Sequence, residues 1–386
     1  MVVTTAVVDS LELVESSYLP ESIFSDDAGP IDDREMEQIL GRVAQIRRPP
    51  WQLAPVTWRT GLQGLDLVRY NRVEGLSLGA AANLELGGAS LDATFRIGVA
   101  DLAPNFDLVA SRTSAFSVQR VAAYRRLDAV GPGPSSGSLG GSLSALLFGR
   151  DDSDYYRSWG VELTREPALG GAGLSWRLFG EMQRPAVKNT DFSVSHAAGG
   201  DGFRDNILAD EADQLGLEVR LRGEQGRDPL GWRGWVIGGG AGSTGTYSFI
   251  QPRLTMGGTA PLPAGLLAGL ELDGGATLGE TPLQSHYFLG GGRTVRGYGG
   301  NAANGESFWT ARVEVATAGP GARIVVFSDA GWTGPVEDFS ADPVLLSAGA
   351  GVSFLDGLLR IDAARPLREV AGYDNWRVEM RVDAGL

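Results

Sequence analysis

The chain has 386 residues, 56 of them glycine, 43% of them hydrophobic and none of them cysteine, so neither a disulfide framework nor a thiolate metal site is possible. Its net charge of -14 argues against a nucleic-acid partner, whose binding rests on Lys and Arg neutralising phosphates. The only two histidines, His196 and His286, lie far apart in the sequence and argue against a histidine-based zinc site.

A mean hydropathy of -0.06 suits a soluble protein or a transmembrane β-barrel equally, because barrel strands alternate apolar and polar residues. No apolar run reaches the ~18 residues that a helical membrane span needs. The first residues lack a basic start and a long apolar core, so no signal peptide is read here. An exported protein is expected to have carried one, either removed or lying ahead of the sequence given.

Residues 1–55 read as an N-terminal linker. Within it, 31-IDDREMEQILGRVAQIR-47 places Met36, Ile39, Leu40, Val43 and Ile46 at helical spacing behind Asp32 and Asp33, which predicts one short amphipathic helix. Arg47, Arg48, Pro49 and Pro50 end it. From residue 56 to 386 the period changes to two. In 376-WRVEMRVDAGL-386, Trp376, Val378, Met380, Val382, Ala384 and Leu386 take one face, and Arg377, Glu379, Arg381 and Asp383 take the other. The split recurs in 91-LDATFRIGV-99, 174-LSWRLFGEM-182, 215-LGLEVRLR-222, 306-ESFWTARVEV-315 and 358-LLRIDAAR-365.

A soluble sandwich alternates too, with its apolar face inward. Here many strands run to about ten residues, the tilted span of a bilayer, and the polar faces carry both signs of charge at mid-strand, as a barrel lumen does. The pattern predicts an all-β fold, a transmembrane antiparallel β-barrel of about 16 strands. Short turns at 87–90, 168–173, 260–265, 318–322 and 355–357 alternate with long connections at about 128–154, 186–211, 277–305 and 334–343. The short ones are assigned to the periplasm and the long ones to the exterior. Five strands follow the 277–305 connection. Ten precede it, and even parity places one more near 56–69. The stretch 142-SLSALLFG-149 is open between a strand and a short helix within an external loop. The acidic runs 151-DDSDYY-156 and 209-ADEAD-213 read as solvated loop, the first lacking the EF-hand ligand pattern. Tyr155, Tyr156 and Trp159 suit an interfacial aromatic girdle or turn packing.

The segment 288-FLGGGRTVRGY-298 sets one arginine in a glycine-rich loop. After one strand comes 327-FSDAG-331, where Phe327, Asp329 and Gly331 share a face with Arg323. Asp329 is expected to point into the lumen, as is Glu314 on the preceding strand. A loop folded inward over about 280–305 would bring Arg296 onto both acids. A guanidinium forks onto carboxylates, and such pairing strengthens in a partly dry lumen. The flanking glycines would let the loop pack tightly on the wall.

These two motifs, in this order and spacing, resemble the VRGF/Y and FxDxG motifs of the BamA, TamA and FhaC superfamily, the bacterial surface antigen barrels. The resemblance is strongest over about 280–386, including 358-LLRIDAARPL-367, and 71-NRVEGLSLG-79 is similar to a barrel start in the same group. It implies a latch role for Val295, Arg296, Gly297 and Tyr298, and wall roles for Phe327, Asp329 and Gly331. It also implies a place in the bacterial outer membrane, lipids as neighbours, unfolded polypeptide or lipid as cargo, and periplasmic or outer-membrane partner subunits. Members usually carry periplasmic POTRA domains, for which 55 residues are too few, and such barrels commonly end in an aromatic residue, where this chain has Leu386.

Three functions stay open at this point. One is an insertase or translocator working through a lateral seam between first and last strands. The second is a pore, anchor or surface barrel on the same scaffold. The third is a soluble acidic β protein or an enzyme. Ser285 and His286 form no nucleophile elbow, and no metal or cofactor site is read, so the chain is expected not to be an enzyme.

Overall fold

The computed structural model describes residues 56–60, 67–131, 139–168, 172–226, 231–319, 321–354, 359–370, 372–373 and 375–382. The helix expected at 31–47 lies outside them, as does the rest of the segment 1–55. In chain order the strands are β1 (Thr57–Thr60), β2 (Val68–Asn71), β3 (Gly75–Leu86), β4 (Ala89–Gly98), β5 (Pro104–Thr113) and β6 (Ser117–Ala129). After helix α1 (Leu139–Phe148) come β7 (Tyr155–Pro167) and β8 (Gly173–Pro185). A single helical turn, α2 (Val194–Ala197), precedes β9 (Ala212–Gln225), β10 (Arg233–Gly245), β11 (Phe249–Leu262), β12 (Leu266–Ala276) and β13 (Leu278–Gly279). The chain ends with β14 (Tyr287–Leu289), β15 (Ala303–Gly305), β16 (Ser307–Thr317), β17 (Arg323–Gly334), β18 (Leu345–Phe354), β19 (Leu359–Pro366) and β20 (Arg377–Val382).

The strands from β2 to β12 pair antiparallel in chain order, β12 pairs with β16, and β16 to β20 continue the meander, while β14 with β15 forms a separate ribbon inside the connection before β16. The strand expected near 56–69 exists, but in two pieces. β1 and β2 both lie along β3, at Thr57↔Asn83 to Thr60↔Ala80 and Val68↔Leu78 to Asn71↔Gly75. β13 likewise continues the line of β12 along β11. Among the described residues the sheet therefore has sixteen strand positions, as the alternation predicts.

The alternation resolves inside out relative to a soluble fold. Leu215, Leu217, Val219 and Leu221 of β9 are exposed, as are Ile324 and Val326 of β17 and Val378 and Met380 of β20. The polar face is the inner one. There Arg177 donates to Glu162 at 2.7 Å and Glu218 at 2.9 Å, and the Tyr124 hydroxyl donates to Glu181 at 2.6 Å, a network across β6 to β9. Arg360 of β19 reaches Glu314 of β16 at 2.9 Å across two intervening strands. On a flat sheet those backbones would stand roughly 14 Å apart, three strand spacings. The sheet curls toward this face, and Gly349 on β18 leaves room, since a Cβ there would lie 2.6 Å from Phe327 Cζ. A curled sheet with charge inside and unburied Leu, Ile and Val outside is the arrangement a lipid surround rewards. Among the described residues no helix is long and apolar enough to cross a membrane.

Two expectations are corrected, and one buried tryptophan departs from its strand's parity. The run 151-DDSDYY-156 is not solvated, because Asp151 and Asp154 are buried against Arg72, with Arg72 Nη2 2.7 Å from Asp154 Oδ1. Tyr155 turns inward rather than joining a girdle, its hydroxyl 2.7 Å from Asp151 Oδ1. Trp332 has outward parity yet is buried, because Phe339, in the connection after β17, stacks on it edge-on at 5.4 Å. Sequence parity sees the strand but not a loop folded back over it. In 209-ADEAD-213, Glu211 and Asp213 are exposed, while Asp210 accepts the Leu283 amide at 2.7 Å.

Candidate functional site

The connection between β13 and β16 is built to come close to the wall. Gly290, Gly291 and Gly297 have φ of 120°, 81° and 88°, where any side chain would be strained. A Cβ on Gly297 would also lie 3.2 Å from Ala364 Cβ. Thr294 pins the turn, its hydroxyl 2.8 Å from both the amide and the carbonyl of Gly290. Leu289, Val295 and Tyr298 pack with Phe308 and Leu345 into a buried apolar cluster. The Tyr298 hydroxyl lies 2.8 Å from the Leu346 carbonyl and 2.9 Å from that of Arg368.

This framework delivers Arg296 to the inner face of β16–β19. Its Nε donates to Asp329 Oδ2 and its Nη2 to Asp329 Oδ1, both at 2.6 Å, the parallel fork that arginine alone can make. Its backbone amide adds a third bond to Asp329 Oδ2 at 3.0 Å. Nη1 donates to Glu314 Oε1 at 2.6 Å and reaches Asp362 Oδ2 at 3.5 Å. The guanidinium carbon sits 3.5 Å from the centre of the Phe327 ring. Arg296 and Asp329 are both 0% exposed. Burial works against the charge of Arg296, but Asp329 first, with Glu314 and Asp362, outweighs it and raises the pKa above the usual arginine value. Gly331 completes the fit, as a Cβ there would be 2.9 Å from Val295 Cγ2.

The structure thus brings Val295, Arg296, Gly297, Tyr298, Glu314, Phe327, Asp329 and Gly331 into one site. It adds residues the sequence reading did not assign to the site. Arg360 shares both Glu314 and Asp362, with Nε 2.9 Å from Asp362. Arg312 and Arg381 donate to the Gly292 carbonyl at 3.2 and 2.8 Å, and the Gly297 amide donates to Glu379 at 3.3 Å. All four project from strand faces already read as polar, so the parity was legible. Their convergence needed the curl of the sheet.

A second buried arginine anchors the turn between β2 and β3. Arg72 donates to the Asp151 carbonyl and Asp154 Oδ1, both at 2.7 Å, and Asn301 in the loop beyond Arg296 donates to Asp154 Oδ2 at 2.9 Å. The segment 71-NRVEG-75 was noted for its resemblance. Its partners, eighty residues away, were not foreseen. Among the described residues no group of acidic residues or histidines is placed to hold a metal.

Fold and site together define a transmembrane β-barrel of the bacterial outer membrane, with an arginine-bearing loop packed on its inner wall. Residues 244–385 match the Omp85 superfamily domain, which bears out over that stretch the resemblance drawn from VRGY and FSDAG. Among solved structures the chain is similar to CdiB from Acinetobacter baumannii, at 12% identity and a TM-score of 0.44, covering 84% of this chain and 58% of that one. It is also similar to CdiB from Escherichia coli, at 15% identity and a TM-score of 0.45, covering 93% of this chain and 72% of that one. No curated protein matches.

Proposed function

We propose that the chain is a protein transporter or insertase of the outer membrane, handling polypeptide cargo through a lateral seam between its first and last strands. The loop at 280–305, latched by Arg296, props the wall on the β16–β20 side while that seam opens. The observation that carries this reading is the Arg296 site itself. A loop joined to four wall strands by one fully buried guanidinium and the bonds around it is a brace, not a solvent-exposed connection. The Omp85 superfamily match over the same residues supports it.

A pore or anchor barrel without insertase activity is the second reading. It is favoured by charge open to water on the inner face, where the Arg220 side chain, 4.0 Å from Glu218, is 70% exposed. The experiment compares wild type with Arg296→Ala in the native host, scoring the outer-membrane proteome by quantitative mass spectrometry. The transporter reading expects specific proteins to fall while the variant barrel itself still reaches the membrane. An unchanged proteome with a correctly inserted variant favours the pore or anchor.

A further inference from the structure

Among the described residues the registered ladders join β20 to β19, and β1 and β2 to β3, with no ladder between β20 and β2. The backbone groups at those two edges need partners, since an unpaired edge recruits strands and a buried unpaired group costs free energy. The structure supplies two of those partners from one element. Ser142 Oγ on α1 accepts the backbone amide of Tyr70 on β2 at 3.0 Å. Arg150, two residues past α1, donates to the backbone carbonyl of Val378 on β20 at 2.9 Å. α1 packs against both β2 and β20.

We propose that α1 and the segment 150–154 form a clasp that spans the seam, standing where a strand-to-strand ladder would otherwise close the barrel. The inference rests on the seam reading above and assigns that seam its closing element.

The clasp has two halves. The helix fits the wall: Ala145 is buried, while Leu143, Leu147 and Phe148 are exposed, as the outer strand faces are. Its end is fixed by Gly149, at a φ of 64°, with the amides of Gly149 and Arg150 donating back to Ala145 and Ser144, both at 3.2 Å. No other residue fits there, because a Cβ would lie 2.2 Å from the His196 ring. The segment after it ties three parts of the barrel together. Arg72, in the turn after β2, binds Asp151 and Asp154. Arg377 of β20 pairs with Asp152. Asn301 of the latched loop holds Asp154. Both sheet edges and the brace are thereby joined through five consecutive residues.

The helix is also weak enough to leave. Gly140 and Gly141 lower its helix propensity relative to alanine, and a helix of ten residues does not hold its shape without packing. A cavity of about 590 Å³ lies beside it, lined by Ser144, Phe148, Arg150, Val378 and Met380, so α1 does not fill the seam. An extended polypeptide strand arriving at β20 would compete for the Val378 carbonyl that Arg150 now holds, and would add along the rest of the edge.

The test uses the full chain, which has no native cysteine to interfere with labelling. Spin labels at Ile97→Cys and Trp376→Cys, both exposed positions flanking the seam, report its width by pulsed electron resonance in nanodiscs. The unmodified clasp should give one narrow distance. Arg150→Ala with Asp152→Ala should add a longer population, while Arg120→Ala, which breaks an exposed ion pair elsewhere on the sheet, should not. If the double variant fails to fold, Ser142→Ala removes only the hydroxyl that holds β2, and should broaden the distribution by itself. An unchanged distribution in the clasp variants, or equal broadening in the Arg120 control, overturns the proposal. No cargo enters the measurement, so its outcome is independent of whether the barrel transports.

Discussion

Arg296 bonds the loop to Asp329 and Glu314 on the inner face, and the proposed latch rests on it. Removing one partner of a buried charge pair typically costs about 3–5 kcal/mol, because the other charge is left uncompensated. Asp329 is as fully buried as Arg296, so that range applies here without a discount for water. Arg296→Ala is therefore expected to lower stability by about 3–5 kcal/mol, read as a drop in the temperature at which the folded band disappears on unheated gels. Arg296→Lys should rescue little, since an ammonium cannot fork onto both oxygens of Asp329. A loss within about 0.5 kcal/mol, the range of an ordinary surface change, would mean the site contributes nothing to stability. Gly297→Ala makes a separate point at the same scale. Its φ of 88° strains any Cβ-bearing residue, and Ala364 stands 3.2 Å from where that Cβ would go. The expected cost is about 1–2 kcal/mol, and denaturant titration in detergent would show it as a shifted midpoint with the slope unchanged.

At the scale of the strand, the two faces should respond oppositely to charge. Leu217 on β9 is exposed on the outer face. Leu217→Arg should cost about 2–4 kcal/mol near the bilayer midplane and less toward either interface, whereas Arg220→Leu on the inner face of the same strand should change stability little. Equilibrium folding into liposomes across urea separates the two, and equal costs would contradict the assignment of faces. Much of this scale was legible in the sequence, because the period of two fixes which residues share a face. The segments β16 to β20 and the charged face of β20 fall where the alternation puts them. What was not legible has a common cause. The burial of Asp151 and Asp154, the inward turn of Tyr155 and the covering of Trp332 by Phe339 all arise from connections folded back on the sheet. Such contacts join residues distant in sequence, and no local period encodes them. Likewise Asp329 and Glu314 were found by parity, but Asp362 and Arg360 enter the same site only because the sheet curls.

For the whole molecule, the apolar strand faces point outward, the loop around Arg296 packs on the inner face, and the proposed seam lies where β20 and β2 share no registered ladder among the described residues. An outer-membrane barrel of this kind should need detergent for extraction and migrate faster on gels before heating than after. A monodisperse chain in plain buffer would contradict that. The claim that cargo uses the seam is tested most directly by locking it. A thiol-reactive cross-linker would join a cysteine introduced in β2 at Tyr70 to one introduced in β20 at Val378, in cells, with the outer-membrane proteome measured before and after reduction by a cleavable spacer. Cargo proteins are expected to fall when the seam is locked and to return when the spacer is cleaved. Undiminished cargo with the cross-link complete would contradict it.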